Sequence, residues 1–382
     1  MGSVVIKKIA DNIVSPLGAT SEENFEAVAG GKSMLRLHEA TFGVREPFCA
    51  SLFDREAIGK LIDSETGAEP DLTFFERLCI FSAKRAIDSC GIDAAASDVL
   101  FILSSTKGNV DCLAQSPADE RCFLGGSARR IAEYFGNGNA PIVVSNACIS
   151  GVCAQITAVR QLLGGKYRYA VVTGCDILSR FIISGFQSFK ALSPEPCKPF
   201  DRDRKGLNLG EAAGTIILEA TPEAGADEWQ FAACSIHNDA NHISGPSRTG
   251  EGSYRVLADI LRSVSPDELG FVNVHGTSTA YNDEMESIAL HRAGLDAVPV
   301  NGLKGYYGHT LGAAGIIETI LSMKAIEHGV VIATKGFENQ GTTYKVNLSA
   351  RPRPTSARAF VKILSGFGGS NAGIAYRKGG NA

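Results

Sequence analysis

Apolar residues along this chain fall into short runs separated by stretches of helical spacing. That alternation of strand-like and helix-like periods predicts an α/β fold. Three strand–loop–helix units stand out. In the first, P-I-V-V-S (141–145) reads as a buried strand followed by a corner of small residues. Val152, Ile156, Val159 and Leu163 then recur at helical spacing before Gly164-Gly165. The second unit is F-V-N-V (271–274), then H-G-T-S-T-A-Y-N, then a helix from Asp283 to Ala293 stopped by Gly294. The third is V-P-V-N-G (298–302), then L-K-G-Y-Y-G-H-T-L-G-A-A-G, then a helix whose face carries Ile316, Ile320, Met323 and Ile326 or Leu321. Gly329 ends that helix, and V-V-I-A (330–333) reads as the next strand.

The first and third units share one layout, which hints at an internal duplication. The acidic stretch T-P-E-A-G-A-D-E-W (221–229) follows the apolar T-I-I-L-E-A and contains Pro and Gly. It marks the boundary expected between two similar halves, 1–220 and 221–382, packed into one body.

Composition narrows the class. The 382 residues are 44% hydrophobic and 20% charged, with a net charge of -4, so a large core is affordable and no nucleic-acid surface is indicated. No apolar run approaches the ~18 residues needed to cross a bilayer. The opening M-G-S-V-V-I-K-K-I-A has no signal-peptide pattern, and a cytoplasmic location is expected. The ten cysteines include no C-x-x-C pair, so they read as free thiols in a reducing compartment rather than as metal ligands.

Candidate chemistry begins at Cys148, in V-V-S-N-A-C-I-S-G, which stands at the mouth of a helix. Unpartnered N–H groups and the helix dipole favour negative charge there, which would lower the thiol pKa and activate it. The alternative is a small buried residue, the commoner fate of cysteine. Cys153, one turn further in, reads as packing. His275, in V-H-G-T-S-T, lies at the C-terminal end of a strand, where α/β folds gather ligands. His309, in G-H-T-L-G-A-A-G, lies at a helix mouth, which should keep it neutral and able to donate a hydrogen bond. Either histidine is otherwise a buried hydrogen-bonded turn residue. The corner S-G-F-G-G-S-N (365–371), after the strand A-F-V-K-I-L, either presents an N–H to a developing oxyanion or is a plain tight turn.

Taken in order, N-A-C-I-S-G, V-H-G-T-S-T, K-G-Y-Y-G-H-T-L-G-A-A-G and G-F-G-G-S-N closely resemble the β-ketoacyl-acyl carrier protein synthases of the elongating Cys-His-His type. P-F-D-R-D-R-K-G-L-N-L-G-E-A-A-G (199–214) and V-S-P-L-G near residue 15 extend the resemblance over essentially the whole chain. It implies a thiolase-like fold of two duplicated halves in five αβαβα layers. It places Cys148 on the acylated nucleophile, His275 and His309 on the paired histidines, and Lys304 beside Glu318 as organisers of the site. Phe367 falls on the gating aromatic, its N–H and that of Cys148 on the oxyanion donors, and Thr277 and Thr279 on threonines that line the pantetheine tunnel. The implied reaction is decarboxylative condensation of an acyl thioester with a malonyl thioester. Both arrive on an acyl carrier protein, with no metal or bound organic cofactor. A homodimer, or a heterodimer with a second ketosynthase-like subunit, is implied as well.

Two features have a second reading. Asp283 and Glu286 match acidic positions of the family, yet D-x-x-E at a helix start is also a capping box, and the structural role is expected. Arg129 and Arg130 either meet an acidic carrier protein or lie on a solvated helix face. The chain also departs from the pattern: V-I-K-K-I-A replaces the usual V-T-G, Ser365 an aromatic, and Ala212 a glycine. These changes suggest a specialised polyene or polyketide-like pathway. A non-catalytic, chain-length-factor-like partner subunit is the rival reading, but such subunits typically lack the nucleophilic cysteine.

Overall fold

The computed structural model describes residues 4–114 and 120–379. Its first half contributes strands β1 (Val5–Val14), β2 (Val99–Ser104), β3 (Ile142–Val144), β4 (Tyr169–Asp176) and β5 (Ala212–Thr221). Its second half contributes β6 (Trp229–Asn238), β7 (Leu269–Asn273), β8 (Val300–Asn301), β9 (Ala359–Gly366) and β10 (Ser370–Lys378). The first set runs β3-β2-β4-β5-β1 and the second β8-β7-β9-β10-β6, so strand order repeats term for term. Directions repeat too. β2 is parallel to β3 and β4 while β5 is antiparallel to β4 and β1; β7 is parallel to β8 and β9 while β10 is antiparallel to β9 and β6. The two sheets join edge to edge through the pair Lys7↔Gln230.

Helices complete five layers. Helix α1 (Phe74–Cys90) and helix α2 (Leu124–Tyr134) cover the outer face of the first sheet. Helix α3 (Ser150–Leu163) and a helix that returns after β8 fill the middle, and α4 (Arg180–Ser188) follows β4. Helix α5 (Glu251–Ile260) and α6 (Ala280–Arg292) cover the second sheet, and α7 (Ala314–Glu327) is the middle helix after β8. Period-two alternation sorts the strand residues: Leu100 and Ile102 join the central core, whereas Val99, Phe101 and Leu103 pack under α1 and α2. The run F-V-N-V was visible because its strand is buried on both faces, whereas Ile142–Val144, expected to be buried, is only partly so because it is the edge strand of the first sheet.

The middle helices meet backbone to backbone. A Cβ on Gly315 would stand 2.4 Å from the Val152 nitrogen, and one on Gly151 would stand 2.9 Å from the Gly312 oxygen. Only glycine permits that approach. Because α7 is enclosed by both sheets and α3, Ile320 and Leu321 are both buried, so it has no single apolar face. At the far end of α3, Leu163 is 54% exposed and Leu162 takes the inward position expected of it, because the helix there emerges from the middle layer. The strand expected at 330–333 is only Val330–Val331, paired with Arg353–Pro354 apart from the main sheet. Helix α6 begins at Ala280, three residues before its expected start. Among the described residues, no helix is long and apolar enough to cross a membrane.

Candidate active site

Cys148 sits in the β3–α3 corner and His309 in the β8–α7 corner, which are equivalent positions in the two halves. Close contact between α3 and α7 brings those two corners together, and His275 enters from the end of β7. Cys148 Sγ and one ring nitrogen of each histidine all lie within 4.8 Å of one another. The two imidazoles stand edge to face, 5.0 Å between centroids at 83°. All three residues are buried. Left-handed backbone recurs beside them, at Ala147 (φ 44), Ser278 (φ 65) and Leu311 (φ 53). Such conformations cost a non-glycine residue about 1–3 kcal/mol and concentrate at functional sites.

The thiol departs from expectation. A helix mouth was expected to lower its pKa, but burial pushes the Cys148 thiol up to about 11, against the opposing pulls of Lys304, the Phe367 main-chain N–H and Lys107. Desolvation of a thiolate in a dry pocket outweighs a partial dipole charge. Both histidines are held well below the usual 6.5, by burial first and then by neighbouring cations, Lys304 and Lys362 among them. His309 is therefore neutral, as expected, though burial and lysines keep it so. Its Nδ1 accepts the Leu311 N–H at 3.3 Å, which leaves Nε2 to carry the proton. His309 Nε2 and His275 Nδ1 are both buried with no hydrogen-bond partner among the described residues. An orphaned buried polar atom costs about 1–3 kcal/mol, so two in one pocket point to a polar ligand that completes them.

Beneath the histidines lies a buried ionic cluster. Lys304 Nζ donates to Glu318 Oε1 at 2.8 Å, and Lys362 Nζ donates to Glu318 Oε2 and to the Val274 carbonyl, the latter at 3.1 Å. Both lysines hold the Glu318 carboxyl below its ordinary value despite complete burial. Sequence reasoning missed Lys362. Its signal was a lone lysine inside the apolar strand A-F-V-K-I-L, at a position whose neighbours are all buried.

Asp283 and Glu286 do not form a capping box. The residue before α6 is Thr279, which makes no side-chain cap, and both acids lie inside the helix and are fully buried. Glu286 accepts the main-chain N–H groups of His275 at 2.7 Å and Gly276 at 2.8 Å, so it fixes the backbone that presents His275. Asp283 accepts those of Phe200 and Ser278, at 2.7 and 3.2 Å. Their role is structural, as expected, but the backbone they satisfy belongs to the site loop and not to the helix end. Burial raises Asp283 to about 6 and Glu286 to about 7. A further unforeseen acid, Asp176 at the end of β4, accepts the Gly312 N–H at 2.7 Å and those of Thr106 and Lys107, stapling the first half to the His309 corner.

The Phe367 main-chain N–H pulls the Cys148 thiol pKa down, and the Phe367 ring packs on Phe186 and Phe189 at 5.8 and 5.2 Å. A Cβ on Gly366 would stand 3.2 Å from the Cys148 nitrogen, so this corner lies directly over the Cys148 backbone. Thr277 and Thr279 share a hydroxyl hydrogen bond of 2.9 Å. Cys153 is buried, as expected of a packing residue. On α2, Arg129 is exposed while Arg130 is tied to the Asp71 carbonyl at 3.2 Å. A thiol and two imidazoles also make a zinc-type donor set. However, two ammonium groups against the single carboxylate they contact leave this pocket better suited to an anion than to a cation.

Comparison with known proteins agrees with this arrangement. Residues 11–224 match the family described as "Beta-ketoacyl synthase, N-terminal domain", and residues 230–338 match "Beta-ketoacyl synthase, C-terminal domain". Nodulation protein E of Rhizobium leguminosarum bv. trifolii is 31% identical over 66% of this chain and 65% of its own length. A 3-oxoacyl-[acyl-carrier-protein] synthase 2 of Vibrio cholerae is 26% identical over 96% of this chain and 97% of its own. With nodulation protein E and its counterpart in Rhizobium meliloti, the match thus spans under two thirds of the relative. In fold, a chain from the complex of a ketosynthase with its chain length factor from Xenorhabdus doucetiae superposes with a TM-score of 0.85 at 24% identity, covering 98% of both. A beta-ketoacyl synthase from Burkholderia phymatum gives 0.83 at 22% identity, covering 100% of both chains. The duplicated five-layer fold, the Cys148, His275 and His309 cluster and the matched sequence agree, and the chain belongs to the beta-ketoacyl synthase family.

Proposed function

We propose that the chain catalyses decarboxylative condensation of an acyl thioester with a malonyl thioester, both delivered on acyl carrier protein. The observation that carries this reading is the buried Cys148 thiol facing two neutral imidazoles with unpartnered nitrogens. In the first half-reaction the Cys148 sulfur attacks the acyl carbonyl, and the N–H groups of Cys148 and Phe367 receive the oxyanion. The carrier thiol leaves with the proton that Cys148 gives up. In the second, the malonyl C–CO2 bond breaks and CO2 departs. His275 and His309 hold the resulting enolate by hydrogen bonds, its carbanion attacks the acyl group, and Cys148 leaves and regains a proton from solvent. Lys304 and Glu318 organise the site, Phe367 gates it, and Thr277 and Thr279 line the path of the phosphopantetheine arm. That arm belongs to the carrier, so the reaction needs no resident metal or organic cofactor.

We place the activity in a cytoplasmic pathway to a polyketide-like or polyene product, with the chain acting as a homodimer or beside a second ketosynthase-like subunit. Support comes from the family match, from a 26% identical relative named putative polyketide beta-ketoacyl synthase 1 in Streptomyces halstedii, and from the likeness to ketosynthase and chain length factor complexes. The deciding experiment is intact mass after exposure to a panel of acyl carriers, for wild type and Cys148→Ala, followed by malonyl carrier. An acyl adduct on wild type alone, discharged with release of CO2, is expected. Failure of every acyl carrier to load wild type would favour a non-catalytic, chain-length-factor-like subunit.

A further inference from the structure

The Lys304–Glu318–Lys362 cluster holds one more cation than it needs. Lys304 alone would neutralise Glu318, and its Nζ already occupies Oε1. Lys362 adds a second ammonium on Oε2, although both lysines are 1% exposed or less and a buried charge without full compensation is costly. A strand of the central core would pack an aliphatic residue at that position more cheaply. Its second bond, to the Val274 carbonyl at 3.1 Å, lands on the residue immediately before His275. On the opposite side of the same peptide chain, Glu286 holds the His275 and Gly276 N–H groups. The end of β7 is thus fixed by a cation on its carbonyl and by a carboxylate on its amides.

We propose that Lys362 is a positioning residue for the condensation half-reaction, anchoring the strand end that presents His275 and leaving the pocket one positive charge for the enolate to form against. This rests on the function proposed above. Lys362 acts from behind Glu318 and Val274 and contacts no reacting atom. The groups that face it are Glu318 from α7, Lys304 and His309 from the β8–α7 corner, His275 at the end of β7, and Glu286 from α6. Its influence reaches both histidines, whereas the groups acting on the Cys148 thiol are Lys304, Lys107, Asp176 and the Phe367 N–H. The two half-reactions should therefore respond differently to its loss. Burial and Lys304 bring the Lys362 ammonium down to about 8, against the upward pull of Glu318, so the extra charge disappears as pH rises through that value.

The test measures acyl loading of Cys148 and condensation with malonyl carrier separately, between pH 6.5 and 9.5, on wild type and Lys362→Met. In wild type, condensation falls above about pH 8 while loading does not. In Lys362→Met, which leaves a neutral Lys304–Glu318 pair, loading stays within about threefold of wild type. Condensation drops about tenfold or more at pH 7 and loses its alkaline limb. Equal loss of loading and condensation, or an alkaline limb that persists in the variant, would overturn the proposal. If Lys362→Met fails to fold, the wild-type profiles decide alone: condensation that holds level from pH 8 to 9.5 rejects the role. A wild-type chain that loads and condenses keeps the condensation reading standing whatever Lys362 does, while one that takes no acyl group ends both.

Discussion

Glu286 grips the main chain of His275: its carboxylate oxygens accept the N–H of His275 at 2.7 Å and that of Gly276 at 2.8 Å. Both donors are buried, so their only escape from this acid is to remain unpaired. Glu286→Ala is expected to cost about 1–3 kcal/mol for each orphaned N–H, and Glu286→Gln less, since one acceptor oxygen survives. Urea unfolding midpoints check the order wild type, Gln, Ala. An Ala variant with the wild-type midpoint would show that Glu286 does not hold this loop.

The Cys148 thiol, pushed up to about 11, is almost fully protonated at neutral pH. Its alkylation by a small uncharged reagent should climb about tenfold per pH unit from 7 to 9.5, in step with the thiolate fraction. Mass-resolved rates at Cys148 test this. A plateau below pH 8 would mean that the helix mouth governs the thiol after all.

Cys148 at about 11 and Cys197 at about 12 are both buried, and both keep protons that the unfolded chain surrenders near 8.5. Stability is therefore full below about pH 8.5 and is lost as pH rises toward the folded values. Each thiol contributes a slope of about 1.4 kcal/mol per pH unit within that window. Chemical denaturation at pH 7, 8, 9 and 10 should show the fall, and Cys148→Ala should make it shallower. A wild-type stability that is flat from pH 8 to 10 is the opposing result.

At the crossing of α3 and α7, a Cβ on Gly315 would lie 2.4 Å from the Val152 nitrogen and 2.7 Å from the Gly151 carbonyl carbon. Backbone cannot yield as a side chain does, so Gly315→Ala should cost about 1–3 kcal/mol or more and slow acyl loading by shifting the Cys148 corner. Gly125→Ala, in α2 with open space at its Cβ, is the matched control and should be neutral to stabilising. Thermal unfolding of the two variants side by side distinguishes a close crossing from a general intolerance of alanine.

Much of this was readable in advance. The doubled strand–corner–helix layout foretold a duplicated fold because strands buried on both faces and helices between them leave distinct periods in the sequence. Cys148, His275 and His309 stood out among small residues just beyond apolar runs, but a buried structural role stayed open for each, and it was the resemblance carried by the four ordered motifs that singled them out. The start of α6 was misread because A-Y-N ahead of Asp283 carries no helix signal, and D-x-x-E mimics a cap. Packing against the His275 loop decides that helix start instead.

The sequence by itself determined the order of elements, the repeat, and the residue types that meet at the two equivalent corners. Local periodicity and turn chemistry are enough for that, since they act over a few neighbouring residues. Only the tertiary structure decided what burial and distant partners control. The pKa of Cys148 rose where a helix mouth alone would lower it, because desolvation depends on everything packed around the sulfur. Glu286 became the clamp on His275, and Lys362 found Glu318 across 44 residues of chain. No periodicity records such pairs, because the sheet and the middle helix that bring them together are themselves products of the completed fold.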